Sequence, residues 1–186
     1  MSAILPLEPS ISNRRPVQVV RAVTEGVSER IYLEEVSRFP DTPIFRPYDA
    51  KGGDLQNLRK KVRDRLGNGP GAVVMDLDRS DPEDLRDFRR WCEDRGIMLI
   101  LSNPSFEVWL LMHFEDVPQY MGQRDLEHEL TRCLGTGYCK GKGIRPKNVM
   151  LESAVMRARL RICNAEDPFE FVLENPGTTM MHLLFE

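Results

Sequence analysis

Residues 71–81 read GAVVMDLDRSD. The apolar run Ala72–Met75 leads into Asp76 and Asp78, with Leu77 between them and Asp81 three residues further on. A strand projects every second side chain to one face, so Leu77 points away while the two acids point together, about 6–7 Å apart along the chain. Like charges that close resist joint ionisation unless a positive group lies between them. The stretch therefore predicts a buried strand that ends in an acidic, cation-seeking tip.

The pattern on either side of it repeats the strand–helix alternation. Upstream, Val17–Thr24 (VQVVRAVT) is rich in β-branched residues and ends at Glu25-Gly26, where the glycine is expected to let the backbone turn. Ser28 is expected to cap a helix with Ile31, Tyr32, Val36 and Phe39 on one stripe. Ile44–Tyr48 is a short candidate strand, and Leu55, Leu58, Val62 and Leu66 mark a second helix that stops at the Gly67–Gly71 breakers. Downstream, Asp81-Pro82 is an N-cap with proline at the first helical position, Leu85, Phe88 and Cys92 form the buried side, and Gly96 closes the helix. Ile97–Leu101 (IMLIL) is a third strongly apolar strand, ending at Ser102-Asn103-Pro104. Elements of this length in this order predict an α/β fold, a three-layer domain around a mainly parallel sheet.

After Pro104 helices take over. Phe106–Phe114 (FEVWLLMHF) is apolar almost all round and predicts a deeply buried helix. Gln123–Leu134 is a further helix, and Pro146–Asn164 carries Val149, Met156 and Leu160 on one stripe with the small Ser153 between them. Thr178–Phe185 is expected to form a short terminal helix. The division is then a mobile arm over 1–16 and a single domain over 17–186, with its core in 17–104 and a helical extension in 105–186.

Composition excludes several classes. With 41% hydrophobic and 30% charged residues and a net charge of −3, bulk charge does not mark the chain as a nucleic-acid binder, although a local basic face can serve that purpose. No apolar run approaches the ~18–20 residues that cross a bilayer, so no membrane partner is expected. The opening residues lack the order of a signal peptide, and Cys92, Cys133, Cys139 and Cys163 follow no disulfide spacing, which favours reduced thiols in a cytoplasm.

In open α/β sheets ligands bind beyond the carboxyl ends of the strands. Right-handed crossovers align those ends, so Glu25, Asp76 and Asp78 can converge at one rim. Three carboxylates suit a hard, oxygen-seeking cation, Mg²⁺ or Mn²⁺, with water and phosphate oxygens completing its shell. Such an ion polarises a phosphoryl oxygen and orients an attacking water. Glu25 can ligate it or act as general base or acid, and the residues alone leave both roles open.

This order resembles the Toprim fold of type IA and type II topoisomerases, bacterial primases and OLD-family nucleases. More specifically, VTEGVSERIYL (Val23–Leu33), VVMDLDR (Val73–Arg79), SNPSFEVWLLMHFE (Ser102–Glu115) and ENPGTTMMHLL (Glu174–Leu184) resemble the RloB-like family. The resemblance implies a Toprim-like core with added C-terminal helices, Mg²⁺ dependence, and a nuclease role in bacterial defence against phage. It carries catalytic and metal-binding roles to Glu25, Asp76 and Asp78, and places Asn103 and Glu107 beside the site. The chain departs from the family at Val27-Ser28, where charged residues are commoner, and substrate contacts there are left open.

Other residues invite roles. Glu107 sits in an apolar helix and needs either a salt bridge or a place in the site. His113, in the same helix, reads as a hydrogen-bonded structural histidine. The glycine-rich loop GTGYCKGKG (Gly135–Gly143), with Lys140, Lys142 and nearby Arg145, can hold phosphates of DNA or RNA, and Tyr138 can stack on a base. The segment RKKVRDR (Arg59–Arg65) is a basic face that either stays solvated or touches nucleic acid. His128, Cys133 and Cys139 have no zinc-site spacing. The expectation is a Mg²⁺-dependent nuclease, working as a homo-oligomer or with a defence partner protein. A non-catalytic binding module that keeps an acidic metal site is the alternative, and a receiver-like phosphoacceptor a more distant one.

Overall fold

The structure is a computed structural model that describes residues 18–77, 80–118, 121–142, 144 and 146–186. The predicted arm over 1–16, Asp78 and Arg145 lie outside the described residues. The sheet is built from β1 (Val19–Thr24), β2 (Ile44–Asp49), β3 (Gly71–Asp76), β4 (Ile97–Asn103) and β5 (Thr178–Thr179), in the order β2-β1-β3-β4-β5. The first four strands are parallel and β5 is antiparallel to β4. The expected mixed α/β architecture with a mostly parallel sheet is present.

Register fixes what the rim can hold. Thr24 lies beside both Asp49 and Val74, and Asp76 lies beside Ser102. Four parallel strands therefore end together, and the residues at or just past their ends are Glu25, Asp49, Asp76 and Asn103.

Helices α1 (Val27–Val36), α2 (Leu55–Leu66), α3 (Pro82–Glu93) and α4 (Glu107–Met112) connect or follow these strands. On one face α2 and α3 touch each other and cover β1 and β4. On the other, Tyr32 of α1 meets Phe106, Trp109 and His113 edge to face, with centroids 5.4–6.1 Å apart. These rings are almost completely shielded from water, and pairs in this geometry add about 0.5–1.5 kcal/mol each beyond area burial. His113 is the structural histidine expected: its Nδ1 lies 2.9 Å from the Trp109 carbonyl and its Nε2 3.0 Å from the Tyr32 hydroxyl. The carbonyl can only accept, so Nδ1 carries the proton and Nε2 accepts from Tyr32.

The extension contains α5 (Gln123–Leu134), α6 (Asn148–Ile162) and α7 (Pro168–Glu174), and differs from expectation at three places. Helix α7 has an Asp-Pro start like that of α3, with the Asp167 carboxylate accepting from Phe169 and Glu170 amides, and it falls where no element was predicted. The tail is not one helix: Thr178–Thr179 adds a strand to β4 before a 3₁₀ turn at Met181–Leu184. In α6 the predicted apolar stripe is the exposed one. Val149, Met156 and Leu160 face solvent, while Leu151, Ala154, Ala158 and Ile162 form the buried side. The small alanines let α6 lie close to α4, a contact that a search for large apolar residues overlooks. At α1 the cap position is Gly26, and Ser28 lies inside the helix with another task. No helix among the described residues is long and apolar enough to cross a membrane.

Candidate functional site

Glu25 and Asp76 lie together at the sheet rim. Strands β1 and β3 end side by side, and the Glu25 carboxylate accepts the Asp76 amide at 3.1 Å. Asp76 is fixed in turn: its Oδ1 accepts the Phe106 amide at 2.7 Å, which ties the tip of β3 to the start of α4. Its Oδ2 is left towards an open cleft of about 510 Å³ lined by Glu25, Gly26, Glu29, Asp49, Lys51, Asp76 and Lys140, among others.

Glu29 is the residue that the sequence reading missed. It lies one helical turn after Glu25, on the first turn of α1, where an acid is ordinarily read as a dipole partner. Here the side chain turns inward, is only 3% exposed, and its Oε2 has no hydrogen-bond partner. Burial pushes its pKa up to about 7; the backbone and Lys140 oppose that rise, and Glu107 and Glu25 add to it. The i, i+4 spacing from Glu25, on a helix entered straight from a strand end, was the available signal.

Gly26 has a use other than the expected one. Its backbone is extended (φ −130°), a conformation open to any residue. A Cβ there would stand 3.0 Å from Glu29 Oε2, so the missing side chain leaves room for that carboxylate.

Glu107 joins the same cluster from α4. It is fully buried, its Oε1 accepts the Tyr138 hydroxyl at 2.8 Å, and its Oε2 has no hydrogen-bond partner. Burial alone would raise its pKa, yet the polar neighbours Ser105, Lys140 and Tyr138 hold it below the usual carboxylate value. Asp76 goes the other way: burial, then the charge of Glu29, lifts it well above the usual range. One cation serves both, since Lys140 Nζ lies 3.8 Å from Asp76 Oδ2 and 3.9 Å from Glu107 Oε1.

The loop that carries Lys140 is docked on either side of it. The Gly141 amide donates to Ser28 Oγ at 2.9 Å, and Tyr138 reaches Glu107. Ser28 is thus the seat of the glycine-rich loop. Tyr138, considered above as a stacking ring, has its hydroxyl committed to Glu107. Lys142 is exposed outside the cleft lining, and Arg145 lies outside the described residues. In the basic face of α2, Arg59 covers the Phe88 and Trp91 rings and Arg65 the Tyr48 ring.

Asn103 is placed at the sheet rim but turned away from the acids. Its Nδ2 donates to the Val172 and Leu173 carbonyls at 2.7 and 3.3 Å, closing the end of α7. It positions the extension against β4.

Carboxylate oxygens are the donors that a hard divalent ion takes. Two buried carboxylate oxygens, Glu29 Oε2 and Glu107 Oε2, lack partners, and carboxylates surround an open cleft. Among the described residues no group of three or more acidic, histidine or cysteine side chains is placed to hold a metal ion. Mg²⁺ does not require one, since it commonly takes one or two carboxylates and keeps several waters.

Comparison with known proteins agrees in part with the sequence. The family model described as RloB-like protein matches residues 21–186. No curated protein and no solved structure matches the chain.

Proposed function

The chain belongs to the RloB-like family, and on that premise we propose that it is a Toprim-type, Mg²⁺-dependent nuclease that hydrolyses phosphodiester bonds in DNA or RNA as part of bacterial defence against phage. The observation that carries the reading is the meeting of Glu25, Glu29 and Asp76 at one rim of a parallel sheet, with a buried carboxylate oxygen left unpartnered beside an open cleft. Burying charge without a partner is costly, and sites that retain such groups are commonly functional.

Glu25, Asp76 and Asp78 are the residues that would hold the ion, with Glu29 as an added donor. Bound there, a divalent ion would neutralise the acids and polarise a phosphoryl oxygen. The protein's own groups supply the rest. Burial raises the Glu29 pKa to about 7 in the metal-free protein, and beside an ion the group would return to its carboxylate form. Lys140, half-exposed beside Asp76, offers an ammonium to a phosphate oxygen. The Phe106 amide keeps Asp76 from rotating.

One observation favours a second reading, a binding module without catalysis: Lys140 Nζ stands 3.8 Å from Asp76 and 3.9 Å from Glu107, where its charge offsets part of theirs. Incubation with plasmid, single-stranded DNA and tRNA, in Mg²⁺ or EDTA, separates the two. Cleavage of at least one substrate in Mg²⁺, absent in EDTA, is expected; nucleic-acid binding with no cleavage in either would establish the module.

A further inference from the structure

Helix α6 presents an apolar seam to solvent. Val149, Met156 and Leu160 are 71%, 57% and 66% exposed, while the opposite side of the same helix is buried against α4 and the 3₁₀ turn. With Ser153 the seam runs 149, 153, 156, 160, alternating steps of four and three. That is the a/d spacing of a coiled coil, in which two helices close on one another along a narrow stripe.

We propose that this face packs against the same face of a second copy, with the two α6 helices antiparallel about a two-fold axis between Ser153 and Met156. The arrangement follows from self-complementarity. In an antiparallel seam each a position meets a d position, so Val149 packs on the partner's Leu160 and Ser153 on the partner's Met156. A small side chain then faces a long flexible one, which gives layers of even thickness. The flanking charges agree. Glu152 and Arg159 are both exposed on the same flank, and the antiparallel register sets Glu152 beside the partner's Arg159 twice in each dimer. Arg159 is free to turn, since its ion pair with Glu186 is long, at 3.7 Å.

A parallel seam fits less well. It would stack Ser153 on Ser153 and direct Glu152 to Arg157. That guanidinium is already committed to the Met112 carbonyl at 2.6 Å and to Asp116 at 3.5 Å. A seam about 16 Å long, from the helical rise, is short for a stable interface, so the dimer belongs in the weak, micromolar class. Two copies joined in this way would carry two acidic clefts, each built wholly from one chain.

Sedimentation of the full chain over about 1–300 μM tests the proposal. A monomer–dimer equilibrium is expected, with Leu160→Lys raising the dissociation constant at least tenfold. Circular dichroism of that variant should be unchanged, because Leu160 makes no core contact. Glu152→Arg and Arg159→Glu should each weaken the dimer, and the double reversal should restore it. A chain that stays monomeric at the highest concentration, or a dimer indifferent to Leu160→Lys, overturns the proposal. A double reversal as weak as its parents overturns the antiparallel register.

Discussion

Replacing Asp76 by Asn is expected to reduce Mg²⁺-dependent cleavage by about 10³-fold while making the metal-free protein more stable by about 0.5–2 kcal/mol. Both effects have one origin. Without a divalent ion, Asp76, Glu25, Glu29 and Glu107 crowd a poorly solvated corner beside Lys140, and burial lifts the Asp76 pKa well above its ordinary value. Asparagine keeps an oxygen for the Phe106 amide, so the β3–α4 junction should persist while a carboxyl whose ionised form is disfavoured there is replaced by a neutral amide. The same change withdraws the carboxylate that an ion and a phosphate would need. Urea unfolding in EDTA should show the gain, and initial rates in Mg²⁺ the loss. A variant that is less stable in EDTA would mean that the Asp76–Lys140 pairing outweighs the crowding of acids.

Acidification should weaken the fold through His113. Burial, opposed in part by its hydrogen bonds to backbone, lowers its pKa to about 4. In the unfolded chain the value returns to about 6.5. A depressed pKa contributes stability that is complete above 6.5 and is lost as pH falls towards 4, because the unfolded state takes up the proton first. At 1.36 kcal/mol per pH unit the gap amounts to about 3 kcal/mol. Glu29 and Asp76, raised by burial, act in the opposite direction, so the total profile mixes both trends. His113→Gln isolates the histidine. Between pH 7 and pH 4.5 the native protein should lose about 2 kcal/mol relative to that variant, measured by urea unfolding; parallel pH profiles would show that the imidazole titrates alike in the folded and unfolded states.

Much of the fold was legible because its strands are short β-branched runs closed by strong punctuation. Gly67–Gly71, Asp81-Pro82 and Gly96 mark boundaries that the structure keeps. The extension was less legible because its packing relies on small residues. The buried face of α6 includes Ala154 and Ala158, which carry little pattern, whereas the conspicuous residues Val149, Met156 and Leu160 lie outside. The two-residue strand β5 is specified by its partner β4 through the Ser102–Thr179 hydroxyl pair, a contact between residues 77 positions apart. Local periodicity has no access to such a contact.

The site was legible where strand ends define it, at Glu25 and Asp76. Glu29 escaped because an acid in the first turn of a helix has an ordinary explanation. Its inward turn depends on the room left by Gly26 and on the convergence of α1 with α4, and both are tertiary facts. Lys140 was anticipated as a phosphate contact; its place between Asp76 and Glu107 arises from docking of the glycine-rich loop on Ser28 and Glu107.

Calorimetric titration of Mn²⁺ into the metal-free protein, alongside Asp76→Asn and Glu29→Gln, bears most directly on whether these carboxylates form a divalent-ion site. Saturable binding to the native chain, weakened at least tenfold in both variants, is the predicted result. No binding to the native chain, or equal binding to all three proteins, would contradict it.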